Sequence, residues 1–310
     1  MKPTPFLHVA LPLVMLAAGC PRLSCGCPDD DNAAAWRGPF PRQTLPDTEV
    51  RRLARSANGR EYQLSIGLPE SFAAEPERRY PVLYLCDGYW DFPLVRGIYN
   101  NLVADDVVPE MIIVGLGYPG DSQSYGRLRR WDLTPTPATY RGAEYDGPSG
   151  HAQDYLFVIE REIIPLIEQE YRGDPGYRVL VGSSLGGLFT LYAMFARPGL
   201  FAGYVAASPA AQWADDWLLG FEETFNKSHQ PLGARLFVTG AEKEVSMILE
   251  GAKRFDARLR MRAYPGLAYE FRIIDGERHA GTKAESYTRG IRFAFAPRAP
   301  EPQSPEGTNP

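Results

Sequence analysis

Residues 178–188 read Arg-Val-Leu-Val-Gly-Ser-Ser-Leu-Gly-Gly-Leu, and this stretch decides the fold. An apolar, β-branched run, Val179-Leu180-Val181, enters Gly182-Ser183-Ser184-Leu185-Gly186, which fits a G-x-S-x-G pattern centred on Ser184. The pattern describes a strand turning sharply into a helix so that one serine hydroxyl stands exposed at the turn. Glycines flank the serine because so tight a turn leaves no room for a Cβ. Leu188-Phe189-Thr190-Leu191-Tyr192-Ala193-Met194 follows as a buried helix. A bare Gly/Ser turn between two core elements would need none of this context.

Outward from that turn, strand and helix signals alternate. Residues 60–67 alternate polar and apolar, as a sheet edge with one wet face does. Val82-Leu83-Tyr84-Leu85-Cys86 and Met111-Ile112-Ile113-Val114-Gly115 are continuous apolar runs, the pattern of buried parallel strands. Residues 153–171 carry apolar side chains at helical spacing. Tyr204-Val205-Ala206-Ala207, Arg235-Leu236-Phe237-Val238-Thr239 and Tyr269 to Ile274 read as three later strands. Strands separated by helix-length segments imply right-handed crossovers and an α/β fold: a mostly parallel twisted sheet of about eight strands, with helices on both faces.

The ends differ from the middle. Lys2, the apolar run Phe6 to Gly19 and then Cys20 form a secretory signal, too short for a membrane span. Leu16-Ala17-Ala18-Gly19-Cys20 resembles a bacterial lipobox, which assigns residues 1–19 to a lipoprotein-type signal peptide and Cys20 to lipidation. An exported, cell-envelope protein held to a membrane through Cys20 is therefore expected, with secretion as the alternative. Residues 20–46 read as a flexible tether, 47–297 as the folded domain and 298–310 as a disordered Pro-rich tail. Cys25 and Cys27 are too close in sequence for an easy bridge and too few for a metal cage, and Cys86 reads as core. With 310 residues, a net charge of −5 and no long basic run, the chain does not read as a nucleic-acid binder. The short cluster Arg127, Arg129, Arg130 reads as a solvated face.

A serine hydroxyl needs a base within hydrogen-bond reach to act as a nucleophile, and histidine suits that work near neutral pH. Of the four histidines, His8 leaves with the signal, His151 precedes Ser184 in a Gly/Pro-rich loop, and His229 lies in a polar segment. His279 follows the strand ending at Ile274, in a loop facing the same rim as the serine turn, and is the expected base. The acid that orients it is expected after the preceding strand, in Thr239-Gly240-Ala241-Glu242-Lys243-Glu244. Glu244 is favoured and Glu242 stays open. The oxyanion donors are the Leu185 amide and one from the loop after 82–86, at Gly88 or Tyr89.

Several segments in order resemble the putative-esterase family of α/β hydrolases, which includes enterochelin-type siderophore esterases and feruloyl esterases. They are Tyr80 to Gly88, Val114 to Pro119, Arg130-Trp131-Asp132-Leu133-Thr134-Pro135-Thr136, Gly182 to Gly187 and Gly276 to Gly281. The resemblance, over roughly residues 48–297, implies an α/β-hydrolase fold and a serine carboxylic ester hydrolase. Its Ser-His-acid set would use neither metal nor organic cofactor. Two positions depart from the family pattern: Ser183, where relatives often carry histidine, and Lys243, where the acid often stands. Trp90, Arg130 and Trp131, with Tyr118, Tyr125, Tyr140, Tyr145 and Asp132, form an aromatic and basic rim. That rim suits an aromatic acyl ester such as a siderophore catecholate, or else only packs the loop onto the sheet. Acyl transfer of the mycolyl-transferase type and a non-catalytic binding module on a hydrolase scaffold are the rival functions.

Overall fold

The computed structural model describes residues 44–140, 143–144, 147–228 and 231–296. The signal segment, Cys20, His229 and the C-terminal tail therefore lie outside the described residues, as do the side chains of Tyr140 and Tyr145.

Eight strands form one sheet. In chain order they are β1 (Thr48–Leu53), β2 (Tyr62–Gly67), β3 (Tyr80–Leu85), β4 (Ile112–Gly117), β7 (Gly173–Ser183), β8 (Gly203–Ala207), β9 (Arg235–Ala241) and β10 (Ala268–Ile274). A two-residue pair, β5 (Thr139–Tyr140) and β6 (Ala143–Glu144), stands apart. The order across the sheet is β1-β2-β4-β3-β7-β8-β9-β10. β1–β2 and β2–β4 are antiparallel, and every other neighbouring pair is parallel.

Period-two alternation builds a core on each face. Val82, Tyr84, Val114, Leu180, Ala206 and Leu236 point into one layer, while Leu83, Leu85, Ile113, Val181, Val205 and Phe237 point into the other. Helix α1 (Gly88–Ala104) and α8 (Lys283–Phe295) cover the second face. The first is covered by α3 (Ala152–Val158), a π-turn at Ile159–Ile163, α4 (Ile164–Glu170), α5 (Leu185–Ala196) and α6 (Trp213–Asn226). Two further helices are α2 (Ser122–Leu133) and α7 (Ser246–Arg262). Burying a side chain such as Leu83 or Ile113 contributes roughly 1.5–3 kcal/mol, so both faces must be covered for the strands to be stable.

One expectation needs correction. Residues 60–67 alternate as read, with Tyr62, Leu64 and Ile66 buried, but β2 is not the sheet edge. β1 flanks it, and its Glu49, Val50, Arg51 and Arg52 are all exposed. Backbone pairing to β2 holds this strand, so no apolar pattern marks it.

Because β3, β4, β7, β8, β9 and β10 run the same way, their carboxyl ends open onto one edge of the sheet. The β1–β2 turn reaches the same edge, since Gln63 pairs with Gly117 at the end of β4. Function in such sheets concentrates there.

Candidate active site

The turn at Ser184 is built as its sequence requires. Ser184 sits between β7 and α5 with φ 58 and ψ −115, a strained conformation for a residue with a side chain. The surrounding backbone holds it. The Ser184 amide donates to Ala207 O at 3.0 Å, and Ser184 O accepts from the Leu188 and Ala210 amides at 2.9 Å. A Cβ on Gly182 would lie 2.3 Å from Gly186 O, so only glycine lets the chain double back. Ser183, the departure from the family pattern, is fully buried and turned away from solvent.

Beside it, two residues past the end of β3, Asp87 stands in the left-handed region at φ 61, and α1 begins at Gly88. Leu185 and Gly88 each open a helix, so their amides have no intrahelical acceptor and carry the positive end of the helix dipole. A Cβ on Gly88 would lie 2.5 Å from Gly115 C, which brings this helix start hard onto β4. The Tyr89 ring packs on Tyr125, with centroids 5.1 Å apart.

Arg129, read from the sequence as part of a solvated face, joins these two segments. Its Nη2 donates to Asp87 Oδ2 at 2.8 Å and to Ser183 O at 3.1 Å, and its Nε donates to Asp87 Oδ1. The Arg129 side chain is 15% exposed and that of Asp87 2%. Burial alone would lower the guanidinium pKa, but the Asp87 carboxylate outweighs it and holds the group above its ordinary value.

The acid and base loops, after β9 and β10, lie two and three strands away. His279 Nδ1 lies 2.9 Å from Glu244 Oε2, with the Glu244 side chain fully buried and the imidazole one-third exposed. A carboxylate there accepts a hydrogen bond from Nδ1–H and leaves Nε2 as the basic nitrogen. Glu242 does something else: its Oε2 accepts from the Gly276 amide at 2.7 Å. The Glu242 amide donates to Ile274 O at 2.9 Å and the Lys243 amide to Glu277 O at 2.8 Å, lacing the two loops together. Among the described residues no hydrogen bond joins the Ser184 hydroxyl to the His279 ring. Their shared position is topological, at the carboxyl ends of the parallel strands β7 and β10.

Of the rim residues, Trp90 belongs here. It is 42% exposed, packs on Tyr125 with ring centroids 4.7 Å apart, and has the Arg129 guanidinium 5.8 Å from its own ring centroid. Arg130 lies beside Gly147, and Trp131 stacks on His151 with centroids 4.1 Å apart. Asp132 is buried beneath them, taking hydrogen bonds from Arg60 and Tyr62. Cys86 is a buried free thiol, raised above its ordinary pKa by burial. Among the described residues no group of three or more His, Cys, Asp or Glu side chains is placed to share a metal ion.

A family model described as putative esterase matches residues 56–247. The ferri-bacillibactin esterase BesA of Bacillus subtilis is 30% identical over 271 residues, covering 83% of this chain and 92% of that protein. The siderophore triacetylfusarinine C esterase of Aspergillus fumigatus is 26% identical, covering 81% and 94%. Among solved structures, the BES protein from Bacillus cereus superposes with a TM-score of 0.74 at 28% identity, covering 83% of this chain and 99% of that one. An IroE-like serine hydrolase from Shewanella oneidensis gives 0.71 at 27% identity, covering 80% of each. An eight-stranded, mostly parallel sheet, a strained serine turn and these relatives lead to one conclusion: the chain is a member of the putative esterase family of α/β hydrolases, an ester-hydrolysing enzyme.

Proposed function

We propose that the enzyme hydrolyses siderophore-type carboxylic esters through an acyl-enzyme on Ser184, with His279 as base and Glu244 as the acid that orients it. The observation that carries this reading is the 2.9 Å contact between His279 Nδ1 and Glu244 Oε2, on the same sheet edge as the strained Ser184 turn. Ser184 Oγ attacks the ester carbonyl carbon while His279 Nε2 takes its proton, and the oxyanion rests on the Leu185 and Gly88 amides. The tetrahedral adduct breaks its bond to the alcohol, which leaves with the proton from His279. Water then gives a proton to the same nitrogen and attacks the acyl carbon; the second adduct breaks its bond to Ser184 Oγ, which takes the proton back from His279 as the acid is released.

Substrate class follows from the relatives named above, two of which are siderophore esterases, and from Tyr89 and Trp90, 47% and 42% exposed beside Gly88. Flat apolar rings at that position suit an aromatic acyl group. The test is fluorophosphonate labelling together with turnover of p-nitrophenyl and catecholate esters. Ser184→Ala should abolish labelling and lower turnover by about 10⁶-fold. Undiminished hydrolysis by that variant refutes the assignment.

Export and anchoring through Cys20 complete the proposal, supported by the signal and lipobox pattern of residues 1–20. No helix among the described residues is long and apolar enough to cross a membrane. Palmitate incorporation that disappears in Cys20→Ala is the expected result, and its persistence contradicts the anchor.

A further inference from the structure

The core layer beneath α8 is largely apolar, with Val205, Phe237, Tyr287 and Ile291 filling it. Three small hydroxyl residues, Thr239, Thr282 and Ser286, nevertheless lie fully buried there. Their oxygens find one another. Thr239 Oγ1 lies 2.8 Å from Ser286 Oγ, and Ser286 Oγ lies 3.2 Å from Thr282 Oγ1. Thr282 caps the start of α8 with helical backbone angles, so it shares a helix face with Ser286, four residues on. Valine or alanine would fill the same space without burying a group that must find a partner. Hydroxyls that satisfy one another fix direction as well as distance, which apolar packing does not.

Each end of this chain of hydroxyls reaches a part of the site. Thr239 belongs to β9, which runs through Ala241 into the loop carrying Glu244. The Ser208 amide donates to Thr239 O at 3.1 Å and lies 3.4 Å from Thr239 Oγ1. Ser208 follows Ala207, whose carbonyl accepts from the Ser184 amide. Ser208 is itself left-handed at φ 39, a conformation that only close surroundings maintain. At the other end, the Thr282 amide donates to Arg278 O at 3.1 Å and closes the turn that carries His279. The supports of nucleophile, acid and base thus meet at one buried polar chain.

We propose that the Thr239–Ser286–Thr282 hydroxyl chain sets the His279 turn against Glu244 and the serine turn, making Thr282 and Ser286 positioning residues for the proton transfer. The inference rests on the Ser184, His279 and Glu244 reading above and extends it to how the base is held. Being fully buried, neither residue meets the ester; both act through the turn. Freeing Thr282 from Ser286 lets that turn shift, and a misplacement of about 1 Å costs on the order of 10²-fold in rate.

The test compares two substitutions at one position. Thr282→Val keeps the shape and removes the hydroxyl, whereas Thr282→Ser keeps the hydroxyl and removes a methyl. With a p-nitrophenyl ester, Thr282→Val should lower kcat by about 10–10²-fold while KM stays within about twofold. Thr282→Ser should keep kcat within about threefold of the parent chain. Ser286→Ala breaks the same chain at its middle, and combining it with Thr282→Val should cost less than about twofold more, since one broken link already frees the turn. Fluorophosphonate labelling of Ser184 should slow in step with kcat, because it uses the same base. Each variant is measured well below its own Tm, so lost stability alone leaves the rates unchanged. If Thr282→Val does not fold, Ser286→Ala, which removes a single oxygen, carries the comparison with the parent. Parental kcat in these variants, or Thr282→Ser as slow as Thr282→Val, overturns the proposal. Turnover lost in Ser184→Ala but untouched in Thr282→Val and Ser286→Ala keeps the reaction and discards the hydroxyl chain. Undiminished turnover in Ser184→Ala removes both.

Discussion

Arg129 forks onto the Asp87 carboxylate and, with the same Nη2, onto the carbonyl oxygen of Ser183. Asp87 immediately precedes Gly88, and Ser183 lies two residues before Leu185. One buried guanidinium thus joins the two backbone segments whose amides are assigned to the oxyanion, and Arg129 is a positioning residue for both. Its planar fork supplies several donors at fixed angles, which a lysine cannot reproduce. Arg129→Lys should lower kcat by about 10²–10³-fold, the scale of losing one oxyanion donor, with little change in KM for a small ester. Steady-state kinetics read the split. A loss confined to KM would mean that Arg129 holds substrate rather than the hole.

The two candidate acids separate by contact. Glu244 is fully buried against the imidazole, whereas Glu242 spans to the Gly276 amide at an exposed position. Glu244→Gln keeps the shape but offers His279 an amide, and kcat should fall by about 10³–10⁴-fold, as for a triad acid converted to its amide. Glu242→Gln retains an acceptor oxygen and should fall less than about tenfold. Measuring kcat for both variants decides it, and a reversed order would make Glu242 the acid.

What could be read in advance and what could not divide along physical lines. Val179-Leu180-Val181 before Gly182 announces a buried strand entering a turn because burial on two faces demands apolar residues at every position. The same logic found β3, β4, β8 and β9. β1 escaped because its stability comes from backbone pairing, which leaves no mark in side-chain polarity. Strand order and chain order led the sequence reading to expect Ser184 and His279 at one edge, and both follow carboxyl ends of parallel strands. Glu244 was favoured there with Glu242 left open, since one residue in a turn reverses which carboxylate faces the ring, and the contact with His279 falls to Glu244. Arg129 was hidden among Arg127 and Arg130, three neighbours alike in chemistry. Only the rotation of α2 sends one to Asp87 and another to the opposite face.

The histidine loop is tied down at its far end. Lys283 Nζ donates to Asp91 Oδ1 at 2.7 Å, and the Tyr287 hydroxyl donates to Asp91 Oδ2 at 2.6 Å. Asp91 stands in the first turn of α1, so the segment carrying His279 and the helix carrying Gly88 share one anchor. Removing one partner of a nearly buried pair leaves the other uncompensated, at a cost of about 3 kcal/mol or somewhat less at this partly exposed lysine. Lys283→Met should lower stability by that amount and raise hydrogen exchange across 275–282. Exchange unchanged in that loop would show that it is held without Lys283.

Asp132 gives the fold a pH signature of its own. Burial raises its carboxyl to about 6 against the opposing pull of Arg60 and the hydroxyls of Tyr118 and Tyr62. A carboxyl near 3.9 in the unfolded chain and near 6 in the folded one binds more protons when folded between those values. Stability from this group is therefore fully present below about pH 4 and is lost as the pH rises through 6, by up to about 3 kcal/mol. Other carboxylates pull the opposite way in acid, so the measurement is a difference. Asp132→Asn cannot titrate, and the Tm gap between it and the parent chain should widen from pH 6 down to pH 4. A gap constant across that window would mean that Asp132 is ionised throughout, held so by Arg60 in spite of its burial.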